Sequence, residues 1–296
     1  MGTTSTPRWG QHRRLAFIDF RLQYEGRINR RDLIDFFGIS VPQASSDFTA
    51  YAERAPGNLK YDSKERAYVV EKGFSPVYVR STATSYLAEI NGLELGTVDR
   101  DESFVGTVPS TGVVATPARL IEAREVAILT QAIRDSVALS AVYQSMDRSE
   151  PHQVLISPHA LGFDGLRWHV RAWWHEGAQF RDFAIGRLLV LNKDEFSKKI
   201  DPTLDIGWSE KVPIVLVPHP GLSPDQRACV AKDYGMNNER YVLECRKAML
   251  FYTLRHLNLS NPLQIGPAAQ QHVVIQNAED VVRWVKEDRD GNPSPS

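Results

Sequence analysis

Basic side chains alternate with apolar ones in two neighbouring segments near the middle of the chain. Because alternate residues of a β-strand point to opposite faces, the first segment would place Arg167, His169 and Arg171 together. The second segment would place Arg181 and Arg187 on a common face. Cations and aromatic rings on one side of a small sheet suit an anionic ligand that carries a base, or a nucleic acid. An ordinary solvated strand face is the alternative explanation.

Three further polar residues precede this basic face and could join it. Ser157 and His159 would lie on the preceding strand, and Tyr143 on the first strand of the same module. Arginines would bind phosphates through their forked guanidinium groups, and imidazoles would donate to anionic oxygens or stack on a base. The predicted ligand-binding residues are Tyr143, Ser157, His159, Arg167, His169, Arg171, Arg181 and Arg187.

Three tryptophans lie in the same module, at Trp168, Trp173 and Trp174. Tryptophan is highly buried on average, so we expect all three mainly in the core or at its rim. Trp174 is the best candidate among them for a stacking platform for a base.

Catalytic and metal-binding motifs are not evident in this sequence. His159, His169 and His175, with Asp164 and Glu176, fit none of the usual metal-ligand spacings, such as HExxH or CxxC. There is no GxSxG, no P-loop and no GxGxxG after a strand. Neither His159 nor His169 has an evident acid partner, which disfavours RNA cleavage by general acid–base catalysis. We therefore predict a protein that is not an enzyme and that needs no metal or cofactor.

The N-terminal third contains two short helices joined by a tight turn, the helix-turn-helix arrangement. Asn29 is a predicted N-cap for a helix over residues 30–37, which Gly38 ends. Ser40 and Gln43 would form a capping box for a second helix over 41–54, with a proline just inside its start. A helix over 11–25 precedes this pair, and a hairpin with strands over 59–61 and 66–70 follows it as a candidate wing.

The second helix of the pair has the composition of a recognition helix. Val41, Ala44, Phe48 and Tyr51 would pack against the domain, while short polar side chains would approach the major groove, where glutamine can pair with adenine. Basic residues before the helix and in the hairpin would contact phosphates. The predicted DNA contacts are Arg30, Arg31, Ser40, Pro42, Gln43, Ser45, Ser46, Thr49, Lys60, Lys64 and Arg66. An ordinary helical bundle is the alternative.

The rest of the chain alternates helices and strands. We predict a short helix over 85–90, a linker over 95–116 that is rich in Gly, Thr, Val and Ser, and a helix over 117–135. A β-rich module over 139–194 suggests a small barrel. Further along we predict strands over 212–217, 241–245 and 273–276, and helices over 223–234, 247–257 and 278–286.

Composition is that of an ordinary globular protein, with 296 residues and a formal net charge of −1. Through Arg80 there are 13 basic and 9 acidic residues, against 22 and 27 in the remainder. A basic N-terminal third on an acidic body suggests a nucleic-acid-binding module, although the asymmetry is small. Apolar runs are too short to span a membrane, and no secretory signal is evident. Cys229 and Cys245 fit reduced thiols, so we expect a cytoplasmic protein.

Two parts of the sequence resemble a known family. The run Trp168-His169-Val170 stands where WYL domains carry Trp-Tyr-Leu, and 181–188 is similar to their R-x-F-x-L-x-R-I strand. The second and third signature letters are His and Val here. Together with 157–161 and the N-terminal pattern of 40–51, these runs resemble WYL-domain transcriptional regulators of the CapW/BrxR-like branch, which is linked to bacterial anti-phage defence islands. The resemblance covers nearly the whole chain and is weakest in 81–116.

The resemblance implies an α+β protein with an N-terminal winged helix-turn-helix in 1–80 and a linker and connecting helix in 81–136. An Sm-like small β-barrel, the WYL domain, would follow in 137–200, and an α/β WCX-like dimerisation domain in 201–296. The implied function is a homodimeric repressor that binds a palindromic operator in double-stranded DNA. A nucleotide or nucleic-acid effector on the WYL domain would release it from a defence operon. A nucleic-acid-binding accessory protein of an enzyme partner and, least favoured, an RNA-processing enzyme are the alternatives.

Overall fold

The computed structural model of the chain describes residues 9–78, 82–117, 119–194 and 200–291. By its internal contacts the chain divides into two units, Met1–Ala115 and Thr116–Ser296. Among the described residues, no helix is long and apolar enough to cross a membrane.

The first unit begins with a helix-turn-helix and a small antiparallel sheet. Its elements are α1 (Trp9–Glu25), β1 (Arg27–Ile28), α2 (Arg30–Phe37), α3 (Val41–Arg54), β2 (Leu59–Asp62), β3 (Ala67–Val70) and α4 (Ala83–Glu94). The strand order is β1-β3-β2, so β2 and β3 form the predicted hairpin. The predicted limits of α2 and α3 are confirmed. Gly38, at φ 63°, ends α2 in the left-handed conformation that glycine adopts without strain.

A buried polar cluster joins α1 to α3 and to the chain after the wing. The carboxylate of Asp19 is fully buried, accepts a hydrogen bond from the hydroxyl of Tyr51 and accepts two more from the backbone amides of Val77 and Tyr78, both at 2.8 Å. Burial, and then the hydrogen bond with Asp19, raise the pKa of Tyr51. The cluster fixes the positions of α1, α3 and the chain after the wing relative to one another. Movement of any one of them would break a buried hydrogen bond to Asp19.

Part of the predicted linker is packed against the first unit. Phe104 contacts the ring of Phe17 in α1 at 5.2 Å, and Val105 is buried in a small cluster with Phe20. The backbone amide of Gly106 donates to Glu25 Oε1 at 2.6 Å. A segment rich in small and polar residues is therefore held in place by two apolar side chains within it.

The second unit opens with α5 and a five-stranded antiparallel sheet, counted in the described residues. Its elements are α5 (Ala123–Asp135), β4 (Ala138–Tyr143), β5 (His152–Phe163), β6 (Trp168–Trp174), β7 (Gln179–Ala184) and β8 (Leu188–Asp194), in the order β7-β6-β5-β4-β8. One face packs on α5 through Leu129, Leu139, Ile156, Val170 and Phe183. The edge strands β7 and β8 are not joined by a ladder in this part of the structure, so hydrogen bonding does not close the predicted barrel.

The helix predicted over 117–135 starts six residues later, at Ala123. Before it, Leu120 is 84% exposed rather than on the apolar face of a helix. The backbone runs directly over Gly186, where an added Cβ would lie 3.1 Å from the carbonyl oxygen of Leu120, and Ile121 packs against the core of the sheet. These tertiary contacts hold 119–122 in a non-helical path and override local helix propensity.

The C-terminal part of the second unit forms its own core. Its elements are α6 (Ile206–Ser209), β9 (Lys211–Pro218), α7 (Pro224–Asp233), β10 (Tyr241–Arg246), α8 (Leu250–His256), β11 (Val273–Ile275) and α9 (Ala278–Gly291). The antiparallel order is β10-β9-β11. Ile214 and Leu216 of β9 pack against Leu250 and Leu254 of α8 and Val281 of α9. The predicted elements are all present, although a 3-10 turn replaces the start of the helix predicted over 247–257.

Candidate functional site

Helix α3 presents a polar face from its N-terminal end. Ser40 caps the helix by accepting a hydrogen bond from the amide of Gln43 at 3.4 Å. Pro42, Ser46 and Thr49 are exposed, whereas Ala44, Phe48 and Tyr51 are buried. This spacing follows the helical period of about 3.6 residues, which places the two sets on opposite faces. Val41, which we expected to pack inside, is 59% exposed because it is the first residue of the helix and lies beyond the core.

The predicted capping box of α3 is wrong. The side chain of Gln43 does not return to Ser40; its Nε2 donates to Asp47 Oδ1 at 3.2 Å. Asp47 is fully buried and also accepts from Arg14 Nε at 2.6 Å. Gln43 is therefore oriented by its own helix, and a two-point contact with adenine requires release of this bond. Half-buried Ser45 uses its carbonyl oxygen to accept from Thr49 Oγ1 at 3.1 Å.

The wing carries exposed cations at its tip. Asp62 Oδ1 accepts from the amides of Lys64 and Glu65 at 2.8 and 3.2 Å and so shapes the turn. Lys64 and Arg66 form no ion pair with any carboxylate of the described residues, so their charges remain available to an anionic partner. Lys60, by contrast, lies 2.9 Å from Glu71.

The two arginines at the start of α2 differ in their freedom. Arg31 has an 85% exposed side chain and lies 3.3 Å from Asp35 on the same helix. Arg30 is half-buried; its Nη2 donates to the hydroxyl of Tyr68 at 2.9 Å, and its guanidinium stacks against the rings of Tyr61 and Tyr68. Arg30 therefore anchors the wing to α2, whereas the side chain of Arg31 projects into solvent.

The predicted basic face of the second unit is buried and paired with carboxylates. Arg171 is only 2% exposed. Its Nε and Nη2 donate to the two carboxylate oxygens of Asp205 at 2.7 and 3.0 Å, and its Nη1 lies 3.4 Å from Asp182. Burial alone raises the pKa of Asp205, but hydrogen bonds from His159 and Arg171 outweigh it and lower the pKa to about 2. The expectation of an open cationic face at Arg171 is therefore wrong, because Asp205, distant in sequence, covers it.

Both imidazoles of that face have an acid partner, contrary to our reading of the sequence. His159 Nε2 lies 2.9 Å from Asp205, and His169 Nε2 lies 3.1 Å from Asp164. His169 also packs against the ring of Tyr252 at 5.0 Å. The two histidines and Arg171 are thus brought together, but beneath residues of the C-terminal part. In the described part of the chain, no group of three or more His, Cys, Asp or Glu side chains is placed to hold a metal ion.

Three other predicted ligand contacts lie elsewhere. Tyr143 is buried in the core, edge-on to Phe183 at 5.1 Å. Ser157 Oγ lies 2.8 Å from His175 Nε2. Arg181 pairs in register with Ala172, which places it on the opposite face from Arg171. Its guanidinium lies over the ring of Trp174, which packs against the core and so does not offer a free stacking surface. The single basic face that we predicted is therefore split between the two faces of the sheet.

The two remaining predicted residues, Arg167 and Arg187, meet at a cavity of about 380 Å³. Arg119, from the segment before α5, and Trp168, 46% exposed, also line it. We missed Arg119 because the sequence predicts a helix there, and we expected Trp168 in the core or at its rim. Its place at the very start of β6, beside a turn, is the signal that favours exposure.

Comparison with known proteins identifies three family models along the chain. Residues 10–92 match the winged helix-turn-helix domain of the BrxR transcriptional regulator, 124–192 the WYL domain, and 211–281 the BrxR C-terminal dimerization domain. A DNA-binding transcriptional repressor CapW of Stenotrophomonas maltophilia is 59% identical over 97% of this chain and 96% of its own length. CapW repressors of Escherichia coli and Pseudomonas aeruginosa are 37% and 40% identical, over 95% and 92% of this chain and 93% and 89% of their own lengths. The chain belongs to the CapW family.

The matched regions contain most of the sites described above. Helix α3 and the wing lie in the BrxR winged-helix match, and β4 to β8 lie in the WYL match except for the last two residues of β8. Arg119 lies between these two matches, in residues 93–123. The family models therefore cover Arg167 and Arg187 but leave the third arginine of the cavity unassigned. Two of the matched models are domains of the BrxR transcriptional regulator and the third is a WYL domain, and none of the three describes an enzyme.

Proposed function

We propose that this CapW-family protein is a homodimeric transcriptional repressor that binds double-stranded operator DNA through α3 and the wing. The observation that carries the proposal is the exposed polar face of α3, with Pro42, Ser46 and Thr49 on a helix fixed by buried Asp47. Short side chains on such a face permit close approach to base edges in the major groove. The unpaired cations Lys64 and Arg66 at the wing tip supply phosphate contacts.

Dimerisation would be provided by the C-terminal part, which is similar to a dimerization domain over 211–281. A two-fold dimer presents two recognition helices in opposite orientation, so its operator would be palindromic, with half-sites one or more helical turns apart. We infer that the operator lies in front of the protein's own defence operon. Release would follow when a nucleotide or nucleic-acid effector binds the WYL domain.

Fluorescence anisotropy against duplex DNA from upstream of the protein's own gene tests the proposal. A scrambled duplex of equal length and a salt titration serve as controls. We expect tight binding to the native duplex that persists at salt concentrations where the scrambled duplex dissociates. Stoichiometry from the same titration should give two chains per duplex.

Equal and steeply salt-dependent binding to both duplexes would contradict the proposal, because it reports backbone electrostatics alone. That outcome would favour the accessory-protein alternative, in which the protein binds nucleic acid without an operator. One chain per duplex at saturation would contradict the dimeric part of the proposal while leaving sequence-specific binding intact.

A further inference from the structure

The cavity beside β6 is built from three separate pieces of the second unit. The turn before β6 supplies Arg167, and the strand itself supplies Trp168. The 3-10 turn at Ile185–Arg187 supplies Arg187, and the segment before α5 supplies Arg119. The local fold therefore brings together cations that are up to 68 residues apart in the sequence.

The charge of this cavity is only partly compensated by the protein. None of the residues that line it is acidic. Arg119 and Arg187 make no ion pair with a carboxylate in the described part of the chain. Arg167 Nε lies 3.1 Å from Asp164 Oδ2, yet this buried nitrogen has no hydrogen-bond acceptor among the described residues. Asp164 lies beside Arg167 but does not line the cavity, so Arg119 and Arg187 keep uncompensated charges that favour an anion there.

The size and the remaining wall of the cavity restrict the anion. A volume of about 380 Å³ lies near the lower end of the range for small-molecule sites, roughly 300–1,000 Å³. Trp168 is half exposed and packs against Phe163, whose ring centre lies 5.0 Å away and which does not line the cavity. An indole held in this way offers one face to a nucleobase, and such stacking is tolerant of base identity.

We propose that Arg119, Arg167 and Arg187 bind the phosphate of a nucleotide, free or at the end of a nucleic acid strand, whose base stacks on Trp168. Arginine suits this role because its planar fork donates two hydrogen bonds to one phosphate. The site differs from the buried cluster of Arg171, whose guanidinium already binds Asp205 and Asp182.

Through Arg119, binding at this site could regulate DNA binding; this step rests on the proposed function. It belongs to the short segment between the end of the first unit at Ala115 and the start of α5. The carbonyl of Leu120 passes over Gly186, next to Arg187. A phosphate shared by Arg119 and Arg187 would tie this segment to the sheet, whereas the empty cavity leaves two like charges to push it away. Occupancy therefore changes the freedom of the connection that leads from the winged helix.

Calorimetric titration of the full-length protein without operator DNA tests the binding site. The probes are adenosine 5′-monophosphate and a 5′-phosphorylated five-nucleotide single strand, which distinguish a free nucleotide from a strand end. We expect at least one probe to bind, and Arg119→Gln and Arg187→Gln to weaken it about tenfold or more, as for a lost charge-assisted hydrogen bond. Arg124→Gln, at an exposed arginine of α5, is the matched control and should leave the dissociation constant unchanged.

Trypsin reports the tie between segment and sheet directly, because it cleaves after exposed Arg119. The bound probe should slow this cleavage several-fold in the wild-type protein and have no such effect in Arg187→Gln. Absence of binding by both probes, or equal binding by Arg119→Gln and wild type, would overturn the proposal. Neither result depends on operator binding, so the site and the repressor function can fail separately.

Discussion

At the scale of single residues, Arg171 shows how a cation that looks functional in a sequence can be structural. Its guanidinium binds two carboxylates, and Asp205 in turn caps α6 by accepting from the amide of Trp208 at 3.1 Å. Separating Arg171 from Asp205 would leave both charges buried without a full set of partners, which is costly. The Arg171–Asp205 pair therefore holds the β-sheet and the segment before β9 together.

Replacement of Arg171 by methionine should therefore destabilise the protein strongly. The change leaves Asp205 and Asp182 buried near each other without their shared cation, and we expect the free energy of unfolding to fall by about 3–5 kcal/mol. Urea unfolding followed by tryptophan fluorescence measures this. Arg148→Met, at an exposed position between β4 and β5, should cost less than about 1 kcal/mol. Equal losses in the two variants would show that the Asp205 pair contributes no more than a surface arginine.

The same carboxylate gives the protein a defined sensitivity to acid. The pKa of Asp205 is about 2 in the folded chain, below the ordinary aspartate value of about 3.9. A pKa that folding lowers stabilises the protein above the unfolded value, and this stabilisation is lost as the pH falls from about 4 to about 2. Urea midpoints between pH 5 and pH 2.5 should fall more steeply for the wild type than for Asp205→Asn. Parallel curves would contradict this assignment.

At the scale of elements, the sequence predicts the limits of helices correctly where those limits depend on residues that are neighbours in the chain. Asn29, Gly38 and Ser40 set the limits of α2 and α3 through caps that involve neighbours in sequence, and the structure has those limits. Strand alternation also correctly separated Val170, which packs in the core with α5, from Arg171, which binds Asp205. The sequence could not reveal what covers the second face of β6, because Asp205 lies 34 residues away. For the same reason it missed the non-helical path of 119–122, which contact with Gly186 determines.

Helix α3 provides the sharpest test of an element. Ser46→Glu places a negative charge on the face that we assign to the major groove, next to phosphates, and should weaken operator binding at least about tenfold. Ala88→Glu puts the same charge at an exposed position of α4, outside the predicted DNA contacts, and should have a much smaller effect. Anisotropy titrations measure both, and circular dichroism should show unchanged helix content. Equal losses would indicate a general charge effect rather than a recognition face.

At the scale of the whole molecule, charge and function are divided along the chain. The basic N-terminal part carries the helix and wing that we assign to DNA, and the acidic remainder carries the proposed nucleotide cavity and the region that matches a dimerization domain. A ligand can release DNA from such a molecule only if its affinity differs between the DNA-bound and free states. We propose that this difference arises in the segment around Arg119, which follows the boundary between the two units at Ala115 in the sequence.

Thermodynamic linkage turns this argument into a quantitative prediction. If a saturating nucleotide probe weakens operator binding by a given factor, saturating operator must weaken probe binding by the same factor, which is typically about 5- to 150-fold. Anisotropy with and without probe gives the first factor, and calorimetry with and without operator duplex gives the second. In Arg119→Gln, both factors should approach one. Unequal factors in the wild type would mean that the probe acts on the operator complex through a second site, and equal factors of one would show that this cavity does not control DNA binding.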